Sequence, residues 1–467
     1  MKERIEKKKF FVSILMTVLM TATIMTGCTE FKTEENKEPT THYVGPPLCK
    51  IYGLNFYPFI KEGQSQYYGT QISEEQIREL ITTIAPYTEW IRTYGCTDGL
   101  EKSGRIAHGL GLKIAVGAFL TRNLSANEEE ISSLIDIAQA GEADMLIVGH
   151  EVMYRDYLTE DQLIEYINRV KENTSGIPIA TSDFYREFID HYGVTKAIDI
   201  VLANYYPYWE GASIDYAIYN IHVQHLQLLE VMNTISKTVM VSEAGWPSSG
   251  YHAMTGRIDN AVASLENAGF FFLNFISWAN AENVSYFYDA FNQPHTSKDI
   301  YEQISDWGIW DEDGYLKPGM EKVFNCEVAE NNWQTEVIDG PGSPTIEFTY
   351  VPPISYESMP STESYNPLEG RVSHVNPANY RVAVYIYVNF GWRTKPYLDS
   401  PTTIILPDGS WICDITTGGV DYSATEIAAF LLPSGYDPPL MEGEYNVLLP
   451  YNLYKFSLAH INVTRSH

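Results

Sequence analysis

Short apolar runs alternate with amphipathic stretches from residue 51 to residue 288. Ile51-Tyr52-Gly53-Leu54-Asn55-Phe56 reads as a strand, followed by a polar loop and an amphipathic helix from Ser73 to Ala85. Trp90 to Tyr94 is a second strand, with a glycine-punctuated helix to Leu112; Lys113 to Gly117 is a third, with a helix from Asn127 to Ala140. Met145 to Gly149 precedes a helix from Glu160 to Asn173. Ile177 to Thr181 and Ile198 to Ala203 supply strands five and six, the run from Val239 the seventh, and Val284 to Tyr288 the eighth. Eight β–α alternations in roughly 280 residues predict an α/β fold, a closed (β/α)8 or TIM barrel rather than an open sheet.

Outside that stretch the pattern changes. From about Glu330 to Pro367, five prolines (Pro341, Pro344, Pro352, Pro353, Pro360) interrupt any helix, which predicts a linker or a loosely packed edge. Short β-type runs follow at Val382–Val388, Thr402–Leu406, Trp411–Ile415, Ile427–Leu432 and Val447–Leu449, the pattern of a small all-β sandwich. The predicted division is 48–328 for the barrel, 329–366 for the linker or edge segment and 367–467 for the sandwich. At the other end, a basic run to Lys9 and an apolar segment from Phe10 lead to Met25-Thr26-Gly27-Cys28. This resembles a bacterial lipoprotein signal peptide over residues 1–27, with Cys28 as the lipidated new N-terminus and 28–47 as a flexible tether. An uncleaved transmembrane anchor is the other reading, for which the segment is short and threonine-containing. Both put the mature chain outside the cytoplasmic membrane, the first as a lipid-anchored component of the cell envelope.

The net charge of the 467 residues is −29. Such a surface repels nucleic acid and anionic lipid and tolerates a neutral polymer. The 34 tyrosines suit sugar stacking and ordinary cores alike. Apart from Cys28 there are four cysteines, Cys49, Cys96, Cys326 and Cys413, with no metal-ligand spacing among them. In a barrel, Cys49 and Cys96 fall at opposite ends of adjacent strands, so the cysteines are expected as buried free thiols. No metal, nucleotide or redox cofactor is indicated, and a monomer is expected.

Chemistry in such barrels gathers at the C-terminal strand ends. Strand one ends in Asn55-Phe56-Tyr57-Pro58, strand two in Arg92-Thr93-Tyr94-Gly95 and strand four in Gly149-His150-Glu151-Val152. Strand six ends in Asn204-Tyr205-Tyr206-Pro207-Tyr208-Trp209-Glu210, and the seventh in Ser242-Glu243-Ala244-Gly245-Trp246-Pro247. Glu151 and Glu243 would face each other across the mouth, and paired carboxylates are what glycoside hydrolysis needs.

These segments resemble, in order, the motifs of glycoside hydrolase family 17, the β-1,3-glucanase-like enzymes. The resemblance implies a retaining glycoside hydrolase on β-glucan, β-1,3-linked, with Glu243 as nucleophile and Glu151 as acid/base. It implies Arg92 and Tyr206 on the nucleophile, and Asn55, Tyr57, His150 and Trp246 as further substrate-binding residues. Ionised Glu243 needs a positive or donor neighbour, whereas Glu151 must start protonated and calls for a more apolar setting. Retention calls for carboxyl groups about 5–5.5 Å apart.

Two positions depart from the family. His150 stands where the family has Asn, and Phe287-Tyr288-Asp289-Ala290-Phe291-Asn292-Gln293-Pro294-His295-Thr296 replaces a motif richer in acids that also carries Trp and Lys. Trp307-Gly308-Ile309-Trp310 keeps the family's Trp-Gly element. A transglycosylase using the same residues is one alternative, since a sugar can replace water at the same glycosyl-enzyme, and these departures leave open a non-catalytic glucan-binding lipoprotein as the other. In the C-terminal part, Gly391-Trp392-Arg393-Thr394-Lys395-Pro396-Tyr397 reads as a core turn against the barrel or as an exposed aromatic ledge for a sugar.

Overall fold

The structure is a computed structural model that describes residues 47–250, 261–293, 306–354, 367–398 and 400–465. The segment read as a signal peptide, Cys28, nearly all of the stretch read as a tether, and Pro294-His295-Thr296 lie outside the described residues. No helix among the described residues is long and apolar enough to cross a membrane.

Eight parallel strands form the barrel: β1 (Ile51–Asn55), β2 (Thr88–Arg92), β3 (Lys113–Ala118), β4 (Met145–His150), β5 (Ile179–Phe184), β6 (Ile200–Tyr205), β7 (Thr238–Ala244) and β8 (Tyr288–Asp289). The ladder runs unbroken from β7 through β1 to β8, and a parallel bridge from Val241 to Tyr286 joins β7 to the approach of β8. Val241 N–H donates to Ser285 O at 2.9 Å and Phe287 N–H to Val241 O at 2.8 Å. Helices cover the outside, and their starts are set by side-chain caps. Ser73 accepts from Gln76 N–H, and Thr159 with Gln162 closes a capping box over Glu160–Asn173.

Two apolar layers result. Alternate strand residues (Ala115, Met145, Ile147, Ala180, Leu202, Met240) fill the barrel interior around Phe287, and the larger layer lies between strands and helices. Gly53 is required here, because a Cβ at that position would lie 2.6 Å from the Phe287 ring.

Several strand ends differ from the sequence reading. The apolar runs of strands five and six stop at Ala180 and Ala203, but β5 continues to Phe184 and β6 to Tyr205. Ser182 and Asn204 in these extensions are polar and still buried, because they enter a hydrogen-bonded network at the mouth. The eighth strand is two residues long, and the stretch before it is hydrogen-bonded to β7 through the bridge.

The cysteine expectation is overturned for one pair. Cys49 and Cys326 form a disulfide with Cα atoms 5.4 Å apart, while Cys96 and Cys413 are buried thiols. Barrel closure returns the chain to the start of β1, where Leu48 and Cys49 N–H donate to Phe324 O at 2.9 and 3.1 Å. A comparison of Cys49 with Cys96 alone does not reach this pairing.

Beyond the barrel come β9 (Thr345–Tyr350), β10 (Leu368–Ser373), β11 (Tyr380–Val388), β12 (Gly391–Lys395), β13 (Thr402–Ile404), β14 (Ser410–Cys413), β15 (Glu426–Pro433) and β16 (Ala459–Thr464). They make two antiparallel sheets, β14-β10-β9 and β12-β11-β15-β16, with β13 also on β11. Val382, Val384 and Ile386 share one core with Val372 and Trp411 of the other sheet. Ala383 and Tyr385 face a second apolar layer with Trp392, Phe430 and Leu453. Burial on both faces is why β11 from Val382 and β15 from Ile427 read as apolar runs.

Strand β9 falls inside the stretch read as linker, where prolines on either side mask an alternating Thr-Ile-Glu-Phe-Thr-Tyr run. Trp333, also in that stretch, is buried and donates Nε1–H to Glu282 on the barrel at 3.0 Å. Val447–Leu449 is not a strand: it is a short run between Asn446, at φ 57°, and Pro450, and Leu448 is exposed. Trp392 is a core residue, as one of the two readings had it, but it packs inside the sheet module and not on the barrel. The sheets meet the barrel at helix Ala217–Thr234, where Tyr219 OH donates to Ile405 O and Arg381 donates to Val223 O, both at 2.7 Å.

Candidate active site

Arg92 ends β2 with its side chain fully inside the mouth. Its NH1 donates to Glu243 Oε1 at 2.9 Å, to Asn55 Oδ1 at 3.0 Å and to Ser242 O at 3.2 Å. Its NH2 donates to Ser182 Oγ at 3.0 Å. One planar guanidinium thus ties together the ends of β1, β2, β5 and β7. The Tyr206 hydroxyl donates to the other oxygen of Glu243. Burial pushes the Glu243 pKa up; His150, the Arg92 charge and the bonds from Tyr206 and Arg92 outweigh it, and the net shift is downward. Glu243, 5% exposed, is an ionised carboxylate at neutral pH.

Glu151 follows β4 in a left-handed conformation, φ 51°, after Gly149 at φ 85°. Its N–H donates to Ser182 O at 2.7 Å, and Arg155 N–H returns to Glu151 O at 3.0 Å, which closes a tight turn. Asp183 at the end of β5 accepts from Met153 N–H at 2.9 Å and so holds the turn against the barrel. Burial, then the charge of Glu187, raises the Asp183 pKa to about 8. The Glu151 carboxylate does not have the apolar setting expected of it. Asn204 Nδ2 donates to Oε1 at 3.1 Å and Arg155 Nε to Oε2 at 2.7 Å. The i to i+4 step from Glu151 to Arg155 is the sequence signal for that pair.

His150 lies between the two acids, its Nδ1 3.5 Å from Glu243 Oε1 and its Nε2 3.9 Å from Glu151 Oε1. Arg92 NH2 is 3.2 Å from Nδ1. A guanidinium has no acceptor, so Nδ1 takes the bond and the neutral ring carries its proton on Nε2, facing Glu151. Burial lowers the His150 pKa, which keeps the ring neutral at pH 7. One donor atom each from His150, Glu151 and Glu243 lie within 4.8 Å of one another, a spacing a metal ion could use. Each carboxylate already carries an arginine, Arg92 on Glu243 and Arg155 on Glu151, which supplies the positive charge a cation would bring.

Asn55 donates to Ser242 O and to Asp289 Oδ1, both at 3.0 Å. Burial and then the charge of Glu243 raise the Asp289 pKa to about 6. Tyr57 sits at the rim, its ring 5.8 Å from that of Tyr94. Trp246 does not join the site. It is 1% exposed, donates Nε1–H to Val262 O at 2.8 Å and packs on Tyr208 and Phe271. Trp307 reaches this part of the mouth instead: a Cβ at Gly245 would meet it at 3.0 Å, and it stands edge-on to Tyr206 at 5.6 Å. Proline and glycine turn the chain away after Ala244, so the indole of Trp246 points back into the helix layer. The mouth therefore unites Asn55, Arg92, His150, Glu151, Tyr206 and Glu243, with Tyr57 at its edge. It adds Ser182, Asn204, Asp289, Arg155 and Trp307.

Residues 53–308 match the BtgE/BtgC glycoside hydrolase domain. The glucan 1,3-beta-glucosidase BGL2 of Candida albicans is 26% identical over 266 residues, 51% of this chain and 84% of that protein. The probable glucan endo-1,3-beta-glucosidase btgC of Aspergillus terreus is 27% identical over 326 residues, 60% of this chain and 47% of that protein. A solved structure of a glycoside hydrolase family 17 beta-1,3-glucanosyltransferase from Rhizomucor miehei aligns at TM-score 0.50 and 27% identity, over 58% of this chain and 96% of that one. The domain match takes in more than half of the chain and every mouth residue from Asn55 to Trp307. The chain belongs to the BtgE/BtgC glycoside hydrolase domain family and is a glycoside hydrolase.

Proposed function

We propose that this glycoside hydrolase cleaves β-1,3-glucan with retention, through a glycosyl-enzyme on Glu243 with Glu151 as acid/base. The observation that carries the reading is the approach of one oxygen of each carboxylate to within 4.8 Å, with Arg92 and Tyr206 on one of the two alone. An oxygen-to-oxygen approach that close supports a nucleophile and its acid/base over the wider, water-holding separation of an inverting pair. In the first step the Glu243 oxygen bonds to the anomeric carbon, the glycosidic bond breaks and Glu151 protonates the departing oxygen. In the second, Glu151 takes a proton from water or a sugar hydroxyl, whose oxygen replaces Glu243. Similarity to glucan 1,3-beta-glucosidases supports the β-1,3 linkage.

The test is reducing-sugar release from laminarin by the wild type, Glu243→Gln and Glu151→Gln, with proton NMR of the first-formed anomer. A β product made by the wild type alone supports the reading; an α product, or equal rates in all three, overturns it. Transfer to a sugar in place of water is the second reading, favoured by the similarity to a glucanosyltransferase. A binding role without turnover fits less well, because Glu243 carries the arginine and the hydroxyl that an ionised nucleophile needs, and a second carboxylate stands within reach of it.

Met25-Thr26-Gly27-Cys28, after a basic and then an apolar segment, further supports an enzyme lipidated at Cys28 and held at the outer side of the cytoplasmic membrane. Labelled palmitate should enter the wild type and not Cys28→Ser, and Cys28→Ser should move to the soluble fraction.

A further inference from the structure

Beneath the mouth, a chain of buried polar groups joins the two acids. At the Glu243 end, Arg92 NH2 lies 3.0 Å from Ser182 Oγ on β5 and 3.2 Å from His150 Nδ1. Ser182 Oγ is 3.1 Å from Ser242 Oγ on β7 and 3.4 Å from Asn204 Oδ1 on β6. Ser242 Oγ bonds to the same Asn204 Oδ1, and Asn204 Nδ2 meets Glu151 Oε1 at 3.1 Å. Ser182, Asn204 and Ser242 are fully buried, and the two serine hydroxyls have no role in the chemistry described so far.

The guanidinium sets the direction of every bond in this chain, because it can only donate. One NH2 hydrogen goes to Ser182 Oγ, and the other fills the single lone pair of His150 Nδ1. The Ser182 proton therefore turns to Ser242, and the Ser242 proton to Asn204 Oδ1. With its oxygen so held, the amide presents N–H to Glu151. A flipped amide would set Oδ1 against the carboxylate and take from the Ser242 hydroxyl the acceptor it has, a large penalty in a buried network. The two oxygens of Glu151 are thereby made unlike. Oε1 accepts from an amide that cannot turn, whereas Oε2 accepts from Arg155, whose side chain is 42% exposed and can swing into solvent.

We propose that Ser242, aligned by Ser182, is a positioning residue that locks the Asn204 amide with its N–H toward Glu151 and so places the proton of the acid on Oε2. The proposal rests on the reading of Glu151 as acid/base. As the glycosyl-enzyme forms, the Glu243 oxygen bonds to the anomeric carbon, the glycosidic bond breaks, and the Oε2 proton passes to the departing oxygen. Ser242 exchanges no proton with the substrate. Without its hydroxyl the amide is free to turn, and Asn204 Oδ1 then accepts a Glu151 proton on Oε1 and withholds it from the leaving group.

The experiment compares kcat/KM for laminaripentaose and for 2,4-dinitrophenyl β-laminaribioside, both of which report formation of the glycosyl-enzyme. Dinitrophenolate leaves without a proton, so the second donor does not need the acid. Ser242→Ala keeps the backbone carbonyl that accepts from Arg92 and Asn55 at 3.2 and 3.0 Å, so the clamp on Glu243 stays in place. The expected result is a loss of about five- to tenfold on laminaripentaose and a change within about twofold on the dinitrophenyl donor. In an Asn204→Leu background, Ser242→Ala should cost nothing further, because it acts through that amide. Equal losses on both donors, no loss on either, or an undiminished loss in the Asn204→Leu background overturns the positioning role and leaves the acid/base reading intact. Equal losses on the two donors in Glu151→Gln overturn the acid/base reading and the proposal with it.

Discussion

Glu243 and Glu151 come within 4.8 Å of each other, yet they are held by opposite kinds of support. Glu243 is the penultimate residue of a strand, and its partners Arg92 and Tyr206 come from β2 and the end of β6. Arg92 is itself fixed by Asn55 and Ser182, so the carboxylate is clamped by the whole barrel rim. Glu151 stands one residue beyond its strand, on a turn with positive φ. Its arginine comes from the same turn, and that arginine's side chain is 42% exposed. A clamped, charge-paired carboxylate suits an attacking group whose geometry must not vary. A carboxylate on a loop with a solvent-exposed partner suits a group that must gain and lose a proton in each cycle.

That asymmetry predicts unequal costs when either side is damaged. Glu243→Gln should remove activity on every donor, by roughly 10⁴-fold or more. Glu151→Gln should slow laminarin cleavage by about 10²–10⁴-fold and still release a burst of p-nitrophenol from an aryl laminaribioside, because that leaving group needs little proton assistance. A burst in the first variant or none in the second would reverse the assignment.

The two arginines should separate next. Arg92→Met should cost about 10²–10³-fold in kcat. Its melting temperature should also fall, because a buried carboxylate is left without its partner. Arg155→Met should stay within about tenfold, as expected for an ion pair at the surface. Equal losses measured by initial rates would erase the distinction drawn above. Tyr206→Phe removes one hydrogen bond to the ionised acid and should cost about ten- to a hundredfold in kcat/KM; a loss below threefold would leave Arg92 as the only effective support.

The smallest effect is on stability and concerns Asp289, beside the clamped acid. Its pKa is raised to about 6 by burial and then by Glu243, above the roughly 4 of an unfolded Asp. The folded chain therefore binds the proton more tightly. Its contribution is complete below about pH 4 and is lost as pH rises through 6, for a total of about 2–3 kcal/mol. Thermal melts from pH 4 to 7 should fall less steeply in Asp289→Asn than in the wild type. Asp183, whose pKa is raised to about 8, retains a slope of the same sign to higher pH. Parallel slopes in the two proteins would place the Asp289 proton elsewhere.

Much of the mouth is legible along the chain. Polar groups that break a buried apolar run at Asn55, Arg92, His150 and Glu243 are costly unless they are used, and each is the last or next-to-last residue of a strand at the mouth. Ser182 and Asp183 escape that reading because the pattern ends their strand at Thr181, just past its last apolar residue. Asp289 was visible only as part of an altered motif. Trp246 misleads for a related reason: adjacency to Glu243 in the chain suggests adjacency at the sugar, whereas the turn after Ala244 sends the indole inward. Trp307 reaches Glu243's neighbourhood from more than sixty residues away, and no local pattern points to where it lands.

Periodicity settles what each segment can be, because burial of alternate or helical faces is a local requirement that every few residues must meet. It is enough to yield eight strands, their covering helices, the two acids at the rim and the sheet-forming tail. Which side chains meet is another matter, since it depends on barrel closure and the twist of each turn. Those set the Cys49–Cys326 link, the four-strand reach of Arg92 and the proton position on His150. Contacts between distant segments have no repeat in the chain from which they could be read.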